Sequence, residues 1–272
     1  MRKIYFISGL PRSGSTLLTN ILLQNPKFQT TATSSLLELM LQVRDNWNKL
    51  EGHTGHPDGQ DKWSVIKSII QSYHKTDKTI IFDKNRGWSN HIEFVEKVIG
   101  EKVKIIACVR NLEQICTSFE KLYRKNRASG EIHGEFSNPK MKTIDGRVQV
   151  WTSDEGVLGR PYVSLLDTIQ RGLGDRILFF PYETWTTNPN KLFRELYEFL
   201  GEEYFQHDFN NIEQKIREND AGYGWGDDLH EIKTGRLLPA SQDADKIIGI
   251  DWVNKLKDTE FWKPQNQKKS II

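Results

Sequence analysis

The sequence predicts a three-layer α/β fold, with a mainly parallel central sheet and helices on both faces. Three observations predict it: short apolar runs of strand length recur along the chain, segments with helical periodicity separate them, and polar residues follow the end of each run. The chain has 272 residues without internal repeats or a linker, so we expect a single domain over residues 1–272.

Residues 4–26 predict a strand, a glycine-rich turn and a helix. The strand is the apolar run from Ile4 to Ile7, and the turn is the stretch from Gly9 to Gly14. Leucines and isoleucines then recur at helical spacing until Asn25-Pro26 stops the helix. Such a turn directs backbone N–H groups and a helix N-terminus at one point, which favours a bound anion, most often a phosphate. A turn whose glycines only allow the bend is the alternative.

The turn resembles the ATP-binding P-loop, G-x-x-x-x-G-K-[ST], but departs from it at one position. Gly9 and Gly14 keep the frame, and Thr16 keeps the final hydroxyl. Ser15 replaces the lysine, and Arg12 places a cation earlier in the turn. Because the P-loop lysine reaches the β- and γ-phosphates, its loss disfavours a nucleoside triphosphate, whereas the planar fork of arginine suits a phosphate or a sulfonate. The predicted fold is therefore P-loop-NTPase-like with an altered anion loop.

The stretch PRSGSTLL after an N-terminal strand resembles the 5′-phosphosulfate loop of sulfotransferases, whose sulfuryl donor is 3′-phosphoadenosine 5′-phosphosulfate (PAPS). Within that family the motif is closer to the tyrosylprotein and bacterial-type PRSGST group than to the cytosolic enzymes. The resemblance implies that the following loop residues bind the cofactor: Pro11, Arg12, Ser13, Gly14, Ser15 and Thr16.

A helix is predicted over residues 36–43. Residues 33–35 are its expected caps, and Glu38 completes a capping box. The polar loop that follows contains His53 and His56, which are either metal ligands or solvated side chains. Because no third ligand is evident, we favour the solvated loop.

Two further core strands are predicted over residues 79–82 and 103–109, both apolar throughout, as strands covered on both faces should be. Helices are expected over residues 63–73 and 90–99. The first of these strands runs into the polar segment 83–88, DKNRGW. Polar residues at the carboxyl end of a parallel strand lie where open α/β sheets bind ligands, so we expect this segment to line the site.

The third core strand ends in Arg110, and the helix that begins after Asn111 carries Ser118 away from its apolar stripe. An arginine at a strand end and a serine two turns into the next helix resemble the 3′-phosphate motif of sulfotransferases. The resemblance implies that Arg110 and Ser118 bind the 3′-phosphate of PAPS, to which both side chains can donate. A surface arginine and an unrelated helix serine are the alternative.

Residues 129–160 are irregular in pattern. We expect here an insert that shapes the acceptor site, with a hairpin around Asp145-Gly146. A helix over residues 162–172, a fourth core strand over 176–180 and a helix over 188–200 follow.

The last part of the chain contains three further candidate cofactor ligands. Tyr182 resembles the tyrosine near the phosphoadenosine end of the cofactor in sulfotransferases, or it is a capping tyrosine. Residues 219–236 are rich in glycine and aromatic residues, and Lys233 and Arg236 lie within them. This composition suits a loop that closes over a nucleotide, as a loop near this position does in sulfotransferases, although a solvated loop fits equally well. The remainder predicts a terminal helix and a tail.

The resemblance implies transfer of a sulfuryl group from PAPS to an acceptor hydroxyl or amine, with release of adenosine 3′,5′-bisphosphate. The acceptor is a small molecule, a peptide or a glycan. Arg12, Lys84 and the loop amides are expected to stabilise the charge that develops on the leaving phosphate, so that no metal is required.

The catalytic base does not stand where the family pattern places it. Tyrosylprotein sulfotransferases have a glutamate where this chain has Thr33, and cytosolic sulfotransferases have a histidine where it has Arg86. The candidates that remain are Glu38, Asp83, His53 and His56. Glu38 lies nearest in sequence to the first family position, and Asp83 lies beside the active-site lysine. A cap and an ion-pair partner are the alternatives for these two carboxylates.

Composition excludes several other classes of protein. Lys+Arg number 38 and Asp+Glu 36, a net charge of +2, which argues against a general nucleic-acid surface. The two cysteines, Cys108 and Cys116, provide no disulfide framework and fit a reducing compartment. No apolar run reaches membrane length, so we expect a soluble cytoplasmic protein that binds neither nucleic acid nor membrane.

Two rival classes of function remain open. A P-loop phosphotransferase that uses Mg-ATP is favoured by residues 80–83, IIFD, which resemble a magnesium-holding strand end, and is disfavoured by Ser15 in place of the loop lysine. A non-catalytic nucleotide-binding module would keep the loop and lack a working base.

Overall fold

The computed structural model describes residues 2–50, 61–129, 138–220, 229–232, 235–239 and 243–263. The strands in these ranges are β1 (Lys3–Gly9), β2 (Phe28–Thr33), β3 (Ile80–Lys84), β4 (Ile105–Val109) and β5 (Ile177–Pro181). They form a sheet in the order β2-β3-β1-β4-β5, and every neighbouring pair is parallel.

Helices connect the strands and cover the sheet. They are α1 (Ser15–Leu22), α2 (Leu36–Asn46), α3 (Lys62–Tyr73), α4 (Ile92–Ile99), α5 (Leu112–Ser129), α6 (Ile144–Thr152), α7 (Gly159–Gln170), α8 (Tyr182–Thr187), α9 (Pro189–Leu200), α10 (Ala244–Ile248) and α11 (Ile250–Leu256). Short 3₁₀ turns occupy Trp47–Lys49, Arg86–His91, Pro139–Lys142 and Gly174–Arg176. Within the described ranges, every helix is too short or too polar to cross a lipid bilayer.

The pleat of β1 divides the core into two layers, because successive side chains of a strand point to opposite faces. Phe6 packs into the cluster that contains Leu36 of α2. Tyr5 and Ile7 pack into the cluster that contains Leu18 of α1. With helices packed on both faces of a parallel sheet, the three-layer α/β fold predicted from the sequence is confirmed.

The four predicted core strands are present as β1, β3, β4 and β5, whereas β2 is absent from the sequence-based prediction. The sequence of β2, FQTTAT, contains one large apolar residue, Phe28. Phe28 and Thr30 are buried, and the other residues of β2 are partly or fully exposed. Because β2 forms the edge of the sheet, it can be a strand without the continuous apolar run that the inner strands need.

The hairpin expected around Asp145-Gly146 is wrong, because these residues lie in the first turn of α6. The Thr143 hydroxyl accepts a hydrogen bond from Gly146 N at 3.0 Å and caps the helix. One turn later, the buried Arg147 pairs with the buried Glu120 of α5 at 2.8 Å. An Asp-Gly pair is compatible with both structures, and the cap and this ion pair select the helix.

Gly9 joins β1 to the glycine-rich turn from Gly9 to Gly14, here called the phosphate loop. We predict that a side chain cannot fit at Gly9. Its φ of 124° is in the region that favours glycine, and an added Cβ would lie 2.0 Å from the carbonyl oxygen of Cys108 in β4. Gly9→Ala should lower the free energy of unfolding by more than the roughly 1–3 kcal/mol of backbone strain alone.

Gly100→Ala is the matched control for this prediction. Gly100 has a similar φ of 90°, and nothing lies within 4 Å of its added Cβ, so this variant measures strain without a clash. Urea unfolding of both variants separates the cost of backbone strain from the cost of the steric clash. Equal losses would show that β4 does not restrict Gly9.

Candidate active site

A cavity of about 570 Å³ lies at the carboxyl ends of the parallel strands, where open α/β sheets bind ligands. The phosphate loop lines one side of it, together with Lys84 at the end of β3, Arg110 after β4 and Tyr182 after β5. Residues from the C-terminal part of the chain complete the lining, namely 229–232, 236, 238 and 239. Candidate residues that are far apart in the sequence therefore meet at one cavity.

The phosphate loop is bent by two residues with positive φ. Gly14 has a φ of 84° and immediately precedes α1. Arg12 has a φ of 57°, which is uncommon for a residue with a side chain and is typical of strained functional loops. The hydroxyl of Ser13 donates to the carbonyl of Leu10 at 2.5 Å, so this buried serine shapes the loop and does not line the cavity. The first amides of α1 have no acceptor within the helix and are suited to an anion.

Lys84 reaches the phosphate loop from the end of β3. Only 5% of the residue is exposed, and its Nζ donates to Thr16 Oγ1 at 3.1 Å. It also pairs with Glu218, a residue that the sequence did not single out. Burial lowers the pKa of the Lys84 ammonium, and the attraction of Glu218 opposes that shift. The arrangement places one cation beside the hydroxyl that ends the loop motif.

The carboxylate of Asp83, one of the expected bases, does not line the cavity. It accepts from Trp88 Nε1 at 2.9 Å and contacts His74 Nε2 at 2.9 Å, and the residue is fully buried. The reason is the alternation of a strand: since Lys84 faces the loop, its neighbour in β3 must face the opposite layer. A magnesium site like that of the P-loop NTPases would need this carboxylate at the loop.

A second cationic group joins Arg12, Arg110 and Ser118. Arg12 Nε donates to Ser118 Oγ at 3.0 Å, and Arg110 Nη1 donates to the backbone carbonyl of Arg12 at 3.0 Å. Arg12 also donates to the carbonyl of Leu229. Burial, followed by repulsion from Arg110, lowers the pKa of Arg12 to about 10. Two desolvated guanidinium groups that repel each other favour a bound anion between them.

Tyr182 holds Arg110 of this group in place. Its ring lies 4.5 Å from the Arg110 guanidinium, in a cation–π arrangement. It also packs against the loop, because a Cβ added at Gly14 would lie 2.7 Å from the ring. Arg110 Nε is buried without a hydrogen-bond acceptor among the described residues, and Glu183 Oε1 is 3.9 Å from it. A donor in this state has capacity for a ligand oxygen.

Glu38 lines the cavity but does not form the expected capping box. Both of its carboxylate oxygens accept from Asn85 Nδ2, at 2.9 and 3.1 Å. Ser35 at the N-cap makes no side-chain cap hydrogen bond, and the hydroxyl of Ser34 before it accepts from Leu36 N at 3.0 Å. Asn85 follows Lys84 directly, so Glu38 is held beside the end of β3.

The C-terminal segments bring residues that sequence reasoning missed. Glu218 pairs with Lys84 and accepts from Thr33 N at 2.8 Å. His230 lines the cavity, and its Nδ1 pairs with Asp220 Oδ1. The signal was available, because a histidine among acidic residues lies within the predicted glycine-rich loop 219–236.

Of the remaining candidates, one lines the cavity and three lie outside the described residues. Arg236 lines the cavity as an exposed residue. Lys233, His53 and His56 lie outside the described residues. Among the residues that are described, no three His, Cys, Asp or Glu side chains are grouped as a metal-binding set.

The chain matches the model of the sulfotransferase family over residues 5–206. Similar solved structures include a sulfotransferase domain from the curacin biosynthetic pathway, at 19% identity, covering 91% of this chain and 96% of that one, with a TM-score of 0.47. The sulfotransferase domain of the Synechococcus PCC 7002 olefin synthase is 16% identical, covering 93% and 96%, with a TM-score of 0.48. Mouse sulfotransferase SULT7A1 complexed with PAP is 14% identical, covering 98% and 80%, with a TM-score of 0.44. No curated protein matches the chain.

The family match covers well over half of the chain and includes the residues that form the sheet side of the cavity. The phosphate loop, Lys84, Arg110 and Tyr182 all lie inside it. Glu218, which pairs with Lys84, lies beyond it. On this match, the protein belongs to the sulfotransferase family.

Proposed function

We propose that this sulfotransferase takes its sulfuryl group from PAPS and transfers it to an acceptor hydroxyl or amine, releasing adenosine 3′,5′-bisphosphate. One observation supports the proposal: a single cavity is lined by two separate cationic groups, one at Lys84 and Thr16 and the other at Arg12 and Arg110, and Arg12 in turn contacts Ser118. A donor with a phosphosulfate at one end and a 3′-phosphate at the other requires two such groups, whereas a nucleotide with one anionic chain requires one.

The residues present fit PAPS. The cavity volume of about 570 Å³ is within the usual range of about 300–1,000 Å³ for sites of small organic ligands. The buried Nε of Arg110, which has no acceptor among the described residues, and the depressed pKa of Arg12 both favour a bound anion near Ser118. Gly14 bends the loop with a positive φ and leaves room for the Tyr182 ring, which borders both the loop and the second cationic group.

In this proposal the bound donor supplies an activated sulfuryl group whose leaving group is a phosphate. Lys84 and the loop amides face that phosphate and stabilise the negative charge that grows on it. Thr16 and Ser15 bind its oxygens as hydroxyl donors. Arg12 contacts Ser118 and not Lys84, so it links the loop to the 3′-phosphate side, and its expected part in stabilising the leaving group stays a prediction.

Among the expected bases, Glu38 remains a candidate because it lines the cavity, whereas Asp83 would act only by positioning the end of β3. A small-molecule, peptide or glycan acceptor, a cytoplasmic location, an acceptor-shaping role for residues 129–160 and independence of metal all stay predictions. Arg236 is a further ligand candidate at the cavity mouth, and Lys233 remains one from its position in the sequence.

Thermal-shift measurements and an acceptor screen test this function. Adenosine 3′,5′-bisphosphate without magnesium should raise the melting temperature more than Mg-ATP does, because binding to the native state alone stabilises it. A screen of hydroxyl and amine acceptors with ³⁵S-labelled PAPS should then identify labelled product. Stabilisation by Mg-ATP alone, with no labelled product from any acceptor, would support a phosphotransferase. Binding of the bisphosphate without transfer would support a non-catalytic module.

The Ser15→Lys variant tests the altered loop directly. It restores the P-loop pattern, but we expect no kinase or ATP-hydrolysing activity, because Asp83 faces away from the loop and Lys84 already provides its cation. Sulfuryl transfer should fall by about a hundredfold, the loss that a misplaced reacting group can produce. Both activities are measured with and without magnesium, and Ser15→Ala is the control for the lost hydroxyl. Magnesium-dependent ATP turnover by the wild type would contradict the assignment.

A further inference from the structure

His230 and Asp220 form a pair that neither the sequence analysis nor the family match identifies. Asp220 Oδ1 pairs with His230 Nδ1, and Asp220 Oδ2 accepts from His230 N at 3.1 Å. The side chains are 16% and 10% exposed. One carboxylate therefore holds both the ring and the backbone of the histidine, so the direction of the ring is fixed.

The pairing also determines which ring nitrogen can accept a proton. An ionised carboxylate only accepts hydrogen bonds, so the Nδ1 that faces Asp220 carries the hydrogen. In neutral imidazole the other nitrogen, Nε2, is then the basic one. An oriented histidine of this kind is the usual form of a general base in enzymes.

His230 lies in the cavity close enough to Lys84 for that cation to act on its ring. His230 lines the cavity together with Lys84, and the charges that act on its ring are those of Asp220, Lys84 and Glu218. Arg12 binds the carbonyl of the preceding residue, Leu229. Burial is the largest cause of a lowered pKa of His230; the hydrogen bond to Asp220 opposes it and the Lys84 cation adds to it, so the net effect favours the neutral imidazole.

We propose that His230, held by Asp220, is the general base for sulfuryl transfer in this enzyme. The inference rests on the proposed use of PAPS. His230 Nε2 takes the proton of the acceptor hydroxyl as the acceptor oxygen bonds to sulfur and the bond from sulfur to the 5′-phosphate oxygen breaks. The electron pair of the broken bond remains on that phosphate, beside Lys84. The imidazolium, stabilised by the Asp220 carboxylate, later returns its proton to water.

The other carboxylates near the cavity are less suited to this step. Glu38 is exposed, and both of its oxygens accept from Asn85. Glu218 is in contact with Lys84. Burial acts to raise the pKa of Glu218, but Lys84, the Thr33 amide and His230 together outweigh burial, and the pKa is lowered. A carboxylate stabilised as an anion in this way is a weak base.

The experiment compares His230→Gln and Asp220→Asn with wild type, using ³⁵S-labelled PAPS and an acceptor from the screen. His230→Gln should lose about 10²–10⁴-fold in turnover, the usual contribution of a positioned general base. Asp220→Asn should show a smaller loss, because the base remains but its orientation is no longer fixed. Calorimetry should show unchanged affinity of His230→Gln for adenosine 3′,5′-bisphosphate.

His74→Gln is the matched control. His74 also contacts an aspartate, Asp83, at 2.9 Å, and its side chain is 8% exposed, but it does not line the cavity. This variant loses a buried His–Asp pair of similar kind, so it should retain transfer if the position of His230 at the cavity is what matters. Melting temperatures of all variants, with and without the bisphosphate, identify any loss that comes from folding.

Acceptor acidity and pH provide readouts that a structural histidine would not change. Analogues of the acceptor with a more acidic hydroxyl need less help from a base, so the loss in His230→Gln should shrink along such a series. The wild-type rate should fall as pH drops through the pKa of His230, and this limb should vanish in the variant. The assignment of His230 would be overturned if His230→Gln lost the same factor with every acceptor, or if it turned over as fast as the wild type. In either case, transfer by the wild type would still uphold the proposed function. Wild-type enzyme that transfers to no acceptor would overturn both.

Discussion

Replacing Lys84 by alanine is expected to lower the turnover number for sulfuryl transfer by about 10²–10³-fold, the loss typical of removing one donor that stabilises a developing charge. The affinity for adenosine 3′,5′-bisphosphate should change much less. Lys84 Nζ lies 3.1 Å from the Thr16 hydroxyl at the end of the loop motif, where the leaving phosphate would gain charge. An interaction that strengthens toward the transition state appears in turnover more than in ground-state binding.

Glu218 complicates this experiment and also supplies its control. Its carboxylate is 2% exposed and pairs with Lys84, so Lys84→Ala leaves a buried charge without that partner and should destabilise the fold. The double variant Lys84→Ala/Glu218→Gln should recover stability without recovering turnover. Lys104→Ala removes a partly buried lysine that donates to the Leu200 carbonyl, far from the loop, and should leave turnover unchanged.

Kinetics and calorimetry on the same four proteins decide the role of Lys84. If turnover is unchanged and only bisphosphate affinity falls, Lys84 is a ground-state ligand and the proposed stabilisation of the leaving phosphate is wrong. If the double variant recovers both stability and turnover, the loss in Lys84→Ala came from the unpaired Glu218. Saturating PAPS keeps a weakened affinity from being counted as slower turnover.

The inner strands and the phosphate loop could be predicted from the sequence because each is a local pattern. Strands covered on both faces read as continuous apolar runs, and the glycines of the loop stand at fixed spacing before a helix. Two elements were missed because their local patterns are weak or ambiguous. The edge strand β2 has one large apolar residue, Phe28, and the Asp145-Gly146 pair is compatible with a turn or a helix start.

The candidate site was only partly predictable, because several of its contacts depend on long-range packing. Lys84 and Arg110 stand at the ends of apolar runs, so their place at the carboxyl ends of the parallel strands was evident. The alternation of β3 excludes Asp83 from the side that Lys84 faces, which a strict period-two reading of the strand would have indicated. Glu218 contacts Lys84 and His230 lines the cavity only because a late segment folds back over the loop. The histidine within the glycine-rich loop 219–236 was a visible signal, but no local pattern encodes that return.

Arg110→Ala is expected to weaken adenosine 3′,5′-bisphosphate by about tenfold to a hundredfold, and to affect adenosine 5′-monophosphate much less. A hydrogen bond to a charged group contributes about 1.5–3 kcal/mol, which corresponds to this range of dissociation constants. The geometry motivates the choice. Arg110 is held by Tyr182 and by the carbonyl of Arg12, and its Nε is buried without an acceptor among the described residues. A 3′-phosphate is the group that distinguishes the two ligands.

The matched control is Arg176→Ala. The Arg176 side chain is 16% exposed against 13% for Arg110, and it pairs with Glu96 at 3.0 Å, away from the cavity. Its loss should leave both affinities unchanged, whereas Ser118→Ala should reproduce a weaker form of the Arg110 effect, because the hydroxyl belongs to the same cationic group through Arg12. Calorimetry with both nucleotides measures the selectivity directly. If Arg110→Ala weakens the binding of both nucleotides equally, the Arg110 guanidinium acts on the shared 5′-phosphate or on the shape of the loop. Arg110 would then not be a 3′-phosphate site, and the argument for PAPS from two cationic groups would fail.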